Sequence, residues 1–381
     1  MLDTTIDIQN QQSLLIGKII EVDELSQSQI KHTWLRTQKN NLPTQIQANE
    51  VVKQIISNPL LLTLLRIVFE ETGEVPADRV QLYNAGLQII LKHWDLAKDV
   101  EDESDKNMSI KQKEGLLSYI AWMTYSDGEY FFKQQQLEQY IIQYIQNIST
   151  TKISSEDLKQ RSQQILKSIQ AQYKIFHEWT PGVYAFSVLS FHEYLAAKAI
   201  VEEYTFQGIE QSLKLLVEQL TENRWHQIYI LVAHMLPNAD YLLLLMKYKI
   251  DAFINMQPTL QPFLNWLEHK SLTKDAVYKP AAVRAFHIEC LLDVDSAISC
   301  SLDNNLARDL EADSLDLHYS YKIKNCRFSD RQKQVLRQYY DMSKVLFNSI
   351  EAGRVTDSLR EELEHNLFLP NESIYMVGAI A

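Results

Sequence analysis

The sequence predicts a mainly helical chain of several domains, interrupted by a single β-hairpin. Three observations predict it. Glycine and proline number only 9 each in 381 residues, well below the ~12% of ordinary usage, and both disrupt helix interiors. Apolar residues recur three or four apart through most of the chain. The clearest period-two alternation is confined to residues 175–189, around a Pro-Gly turn.

The elements follow in order. Residues 13–25 (SLLIGKIIEVDEL) read as a buried strand and a turn, and Ser26 offers an N-cap for a helix through Trp34 and Leu35. Asn40-Asn41-Leu42-Pro43 breaks that helix. Residues 49–70 carry a helical stripe of Val52, Ile55, Ile56, Leu60, Leu64, Ile67 and Val68, interrupted at Asn58-Pro59 and stopped by Gly73. Tyr83, Leu87, Ile90, Leu91 and Trp94 form a second amphipathic helix. Residues 98–114 hold many charges and few apolar groups, which predicts an exposed linker.

Helices then resume around Leu116–Met123, Leu137–Ile148 and Leu158–Tyr173. In 175–189, Pro181-Gly182 is the central pair of a type II turn, and Tyr184, Phe186 and Val188 alternate with Val183, Ala185 and Ser187. One hairpin in a helical setting is what a winged-helix domain has. Further helical stripes run through Phe191–Ala199, Trp225–Leu236 and Val335–Leu346, the last ending at Gly353.

Charge and composition exclude several function classes. The net charge is −12, with 37 basic against 49 acidic residues and no long basic run, so nucleic acid is not expected as a partner. Apolar runs such as Tyr241–Met246 are too short to span a bilayer, and the N-terminus lacks a cationic leader. Three cysteines, Cys290, Cys300 and Cys326, without CxxC spacing, fit reduced thiols and a cytoplasmic location.

Catalytic motifs fail residue by residue. The single Gly-Lys pair, Gly17-Lys18, has Gln12 where a Walker A loop needs glycine and Ile19 where it needs Ser or Thr. No Walker B strand is identified. His192-Glu193 and His177-Glu178 open HExxH-like strings, but the second histidine would fall at Ala196 and Pro181. Both histidines are expected on a helix surface or in the hairpin. The acidic run Asp99–Asp105 matches no EF-hand spacing. No metal site and no catalytic residues are expected.

Two segments carry a resemblance. Asn58-Pro59-Leu60-Leu61-Leu62-Thr63-Leu64-Leu65, followed by Leu82-Tyr83 and Trp94-Asp95, resembles the first helical domain of NACHT-family signal-transduction (STAND) NTPases, cyanobacterial ones especially. Phe186-Ser187-Val188-Leu189-Ser190-Phe191-His192-Glu193-Tyr194-Leu195-Ala196-Ala197 resembles the end of their winged-helix domain. Arg224-Trp225 and Lys279-Pro280-Ala281-Ala282-Val283-Arg284-Ala285-Phe286 resemble the helical domain that follows. Phe328-Ser329, Tyr339-Tyr340 and Leu367–Pro370 are similar to the C-terminal helical region.

The resemblance implies a domain order: residues 1–45 as the end of an NTPase core, 46–98 a helical domain, 99–114 a linker, 115–205 a winged-helix-like domain and 206–381 a C-terminal helical domain. It implies that Pro59 lies against the adenine of bound ADP. The family histidine that touches the ADP phosphate is replaced by Val188, which cannot donate a hydrogen bond.

The expected function is a non-catalytic regulatory and scaffolding portion of such an NTPase, coupling nucleotide state to partner interaction. No cofactor is expected in isolation, and ADP or ATP only if a P-loop core comes from another chain. The alternatives are a stand-alone helical adaptor and an ATPase half completed in trans. Residues 51–69 are more apolar than one helix face can use, so Leu61 and Leu65 are expected to meet a partner protein or a second copy.

Overall fold

The computed structural model describes residues 59–96, 108–173, 175–186, 189–272, 278–311 and 328–370. The chain divides into two compact units, one ending at Phe206 and the other beginning at Gln207. The architecture is mainly α, with one small three-stranded antiparallel sheet. Residues 1–45, with the predicted strand and helix, lie outside the described residues.

In the first unit, α1 (Pro59–Thr72) and α2 (Arg79–Leu96) pack against each other. The helix is described from Pro59 onward, so the break expected at Asn58-Pro59 falls at the edge of the described residues. Leu64, Leu65, Ile67 and Val68 of α1 are buried together with Leu82, Leu87 and Leu91 of α2.

Then α3 (Ile110–Ser126) begins inside the segment expected to be a linker. Ser109 accepts from the Gln112 N–H, and the Gln112 side chain accepts from the Ser109 N–H. This capping box satisfies two orphan donors, so the charged run ends as a helix start rather than as coil. Lys113 and Glu114, within the predicted linker, are buried; residues 99–107 lie outside the described residues.

After α3 come β1 (Phe132–Lys133), α4 (Gln134–Ile148), α5 (Ser155–Tyr173), β2 (Phe176–Thr180), β3 (Val183–Phe186) and α6 (Leu189–Val201). The sheet order is β1-β3-β2. Phe132 pairs with Tyr184, and Phe176 with Phe186. Gly182 takes φ +77°, the left-handed value a type II turn demands of its third residue. The expected hairpin is therefore present; β1, only two residues long, carries no readable period in sequence.

The second unit is all helical among its described residues. It comprises α7 (Ile209–Glu218), a 3-10 turn at Asn223–Trp225, α8 (His226–Met235), α9 (Asp240–Asn255), α10 (Gln261–Ser271), α11 (Pro280–Leu292), α12 (Ala297–Leu302), α13 (Asn304–Glu311), α14 (Asp330–Ala352) and α15 (Asp357–His365). The long α14 starts from a second capping box, Ser329 with Gln332. It packs against α8, α9 and α11, burying Leu336, Tyr339, Tyr340, Leu346 and Ile350.

Candidate functional site

The segment Phe186–Ala197 leads from β3 into α6. That helix is buried on nearly every side: Tyr194, Leu195, Ala196, Ala197, Ala199 and Ile200 are all in the core. That enclosure overturns the expectation that His192 lies on a surface. His192 is 1% exposed.

Its Nε2 lies 3.1 Å from the Ala121 carbonyl oxygen and 2.9 Å from Thr124 Oγ1. Thr124 donates its own proton to the Ile120 carbonyl at 2.8 Å. Nε2 therefore carries the hydrogen, an assignment made from the network, and the neutral ring ties α6 to α3. Phe186 stacks on the imidazole at 4.3 Å. Burial lowers the His192 pKa to about 4, against the opposing Ala121 hydrogen bond.

A polar junction lies on the same helices. Glu114 of α3 pairs with Lys198 of α6 at 2.6 Å, and Gln88 of α2 donates to the other carboxylate oxygen at 2.7 Å. Both carboxylate oxygens are thus engaged, which a buried ion pair needs to offset its desolvation. Beside it, Tyr83 of α2 meets Tyr194 and Phe191 of α6 at 5.1 and 6.0 Å. Burial pushes the Glu193 carboxyl up to about 7.

The second unit has its own polar centre. Arg284 of α11 is fully buried. Its Nε donates to the Leu367 carbonyl at 3.0 Å, Nη1 to Ser271 Oγ at 3.0 Å, and Nη2 to the His365 carbonyl. The guanidinium thereby caps the C-terminal end of α15, whose carbonyls have no helical donors. Burial lowers its pKa to about 10. Lys247 of α9, paired with Asp251 one turn on, donates to the Leu369 carbonyl at 2.9 Å. Two cations thus hold residues 365–369.

These groups are positioned to hold backbone and helices. Among the described residues, no three His, Cys, Asp or Glu side chains could hold a metal ion. Cys290 and Cys300 are half-buried and form no disulfide among the described residues. No described helix is long and apolar enough to cross a membrane.

Of the residues singled out from sequence, the side chains of Pro59 and Leu61, and all of Val188, lie outside the described residues. Leu65 is 4% exposed, so it belongs to the core and presents no free surface. Glu114, Lys198, Lys247 and Arg284 were not anticipated. A signal existed for two of them. Arg284 stands inside the apolar string Pro280–Phe286, and Lys247 and Asp251 lie four apart in a largely apolar helix.

The fold and its polar centres define a mainly helical molecule with a small antiparallel sheet. Residues 307–370 match the family model for NACHT C-terminal helical domain 2. That match spans α14, α15 and the segment that Arg284 and Lys247 hold, so this chain carries a NACHT-type C-terminal helical segment. Comparison with curated proteins and with solved structures gave no match.

Proposed function

We propose that this chain is a non-catalytic regulatory and scaffolding portion of a NACHT-type signal-transduction NTPase, of the sort found in cyanobacteria, coupling nucleotide state to partner interaction. The observation that carries this reading is the match of residues 307–370 to NACHT C-terminal helical domain 2. The order helix, strand, helix, helix, hairpin from α3 to β3, with sheet order β1-β3-β2, supports the winged-helix part of this reading. Domains of this kind switch by rigid-body rotation biased by differential contacts.

The phosphate-gripping backbone donors of such an NTPase belong to a Walker A loop, and the sequence holds no such string. Nucleotide is therefore assigned to a P-loop core outside this sequence. A stand-alone helical adaptor is the second reading, favoured by Val188 in place of the phosphate-sensing histidine. Calorimetry of the purified chain with ADP and Mg²⁺ tests the first reading. Affinity weaker than about 100 μM is expected; a dissociation constant below ~1 μM would overturn it.

A further inference from the structure

At the hairpin end of the sheet, two large aromatic rings stand in water. Phe131, just before β1, is 57% exposed, and Trp179, at the bulge of β2, is 62% exposed. The rings meet edge to face at 5.6 Å, although β3 lies between their strands. Tyr130, next to Phe131 in sequence, is also exposed. Single exposed apolar residues are ordinary, but adjoining large aromatics mark contact surfaces.

The strands beside this pair share an aromatic core. Phe132, Phe176 and Phe186 pack edge to face at 4.8 to 6.0 Å, and His192 stacks beneath Phe186.

Charge selects the partner. Asp127, Glu129 and Glu178 flank the rings in sequence, and each accepts hydrogen bonds from neutral groups. The donors are the Tyr140 hydroxyl to Asp127 at 3.0 Å, the Gln136 amide to Glu129, and the Gly182 N–H and Tyr184 hydroxyl to Glu178 at 2.8 and 3.2 Å. Among the described residues no salt bridge involves these three carboxylates. Lys133 is the single cation in residues 127–133.

We propose that this face is a docking surface for an arginine- or lysine-bearing segment of a partner protein. Ring faces attract cations, and the acidic residues that flank them in sequence favour a cationic partner. A second copy of the chain would set acid against acid in a self-complementary interface, and nucleic acid would be repelled.

The test uses the full chain and fluorescence anisotropy at ~0.15 M salt. The probes are a labelled peptide of alternating arginine and serine and its glutamate counterpart. The arginine peptide should bind and the glutamate peptide should not. The double variant Phe131→Ala/Trp179→Ala keeps every charge and removes no core residue. It should weaken binding by about tenfold or more, with its circular dichroism melt unchanged, and Trp179→Phe alone should retain most of the affinity. No binding of the arginine peptide would overturn the proposal. So would equal binding by the double variant, which would reduce the effect to net charge. A wild-type dimer that becomes a monomer in the double variant would assign the face to a second copy instead, also overturning it.

Discussion

Glu193 and His192 are neighbours on α6 whose burial acts on stability in opposite directions. The Glu193 carboxyl has a folded pKa near 7 against an ordinary value of 4.5. Below 4.5 it is protonated in both states and its burial is without charge cost. Between 4.5 and 7 only the unfolded chain ionises, so stability falls as pH rises. Glu193→Gln is therefore expected to stabilise the protein at pH 8 by up to about 3 kcal/mol, less for the part of the carboxylate still in water, and hardly at pH 4. Urea titrations at the two pH values check this; an equal effect at both would refute it. His192 has a folded pKa near 4 against 6.5, so the stability it contributes is complete above 6.5 and is lost as pH falls toward 4.

Arg284 makes the sharper residue-level case. Replacing it by Met keeps length and apolar contact but leaves the His365 and Leu367 carbonyls without their donor. The expected loss is about 3 kcal/mol or more. Lysine should not rescue it, because an ammonium on a flexible stem cannot reproduce the guanidinium fork. A Met variant within about 1 kcal/mol of wild type would show that the fork contributes little.

Among elements, the ends of helices decide more than their middles. The capping boxes at Ser109 and Ser329 set where α3 and α14 begin, and the first of these turned an expected linker into a helix. Where α14 ends, close approach rather than backbone angle demands glycine. A Cβ at Gly353 would stand 2.9 Å from the Ser349 carbonyl oxygen and 3.0 Å from the Ala239 Cβ. There the backbone of the α8–α9 turn meets that of the α14–α15 turn, with the Ala239 N–H donating to the Arg354 carbonyl at 2.9 Å. Gly353→Ala should cost about 1–3 kcal/mol by overpacking, read as a lower urea midpoint with unchanged slope. A neutral result would mean the turn has room to move.

For the whole molecule, the polar centre of the second unit closes within itself. Arg284, Ser271, Lys247, Asp251 and residues 365–369 all follow Gln207. A fragment of residues 207–381 is therefore expected to fold alone, with a single cooperative thermal transition. Arg284→Met should lower that transition as it does in the full chain. A fragment with helical signal but no cooperative melt would mean that the unit needs the rest of the chain.

The sequence by itself determined the class of the molecule. Few glycines and prolines, apolar stripes at helical spacing and one Pro-Gly alternation suffice for a helical chain with a hairpin, because these are local properties of three to twenty residues. The tail resembled a C-terminal helical region through Phe328-Ser329, Tyr339-Tyr340 and Leu367–Pro370, within or beside the α14–α15 segment that matches the family model. Only tertiary structure decided which side chains are enclosed. His192 looked like surface, Glu114 like linker and Leu65 like a partner contact, and each is buried. Burial depends on what packs from distant sequence: α3 against α6 for His192, α6 and α2 for Glu114, α2 for Leu65. The partners of Glu114 and Arg284 are as many as 84 residues and 83 residues away in the chain, a separation at which no periodicity carries information.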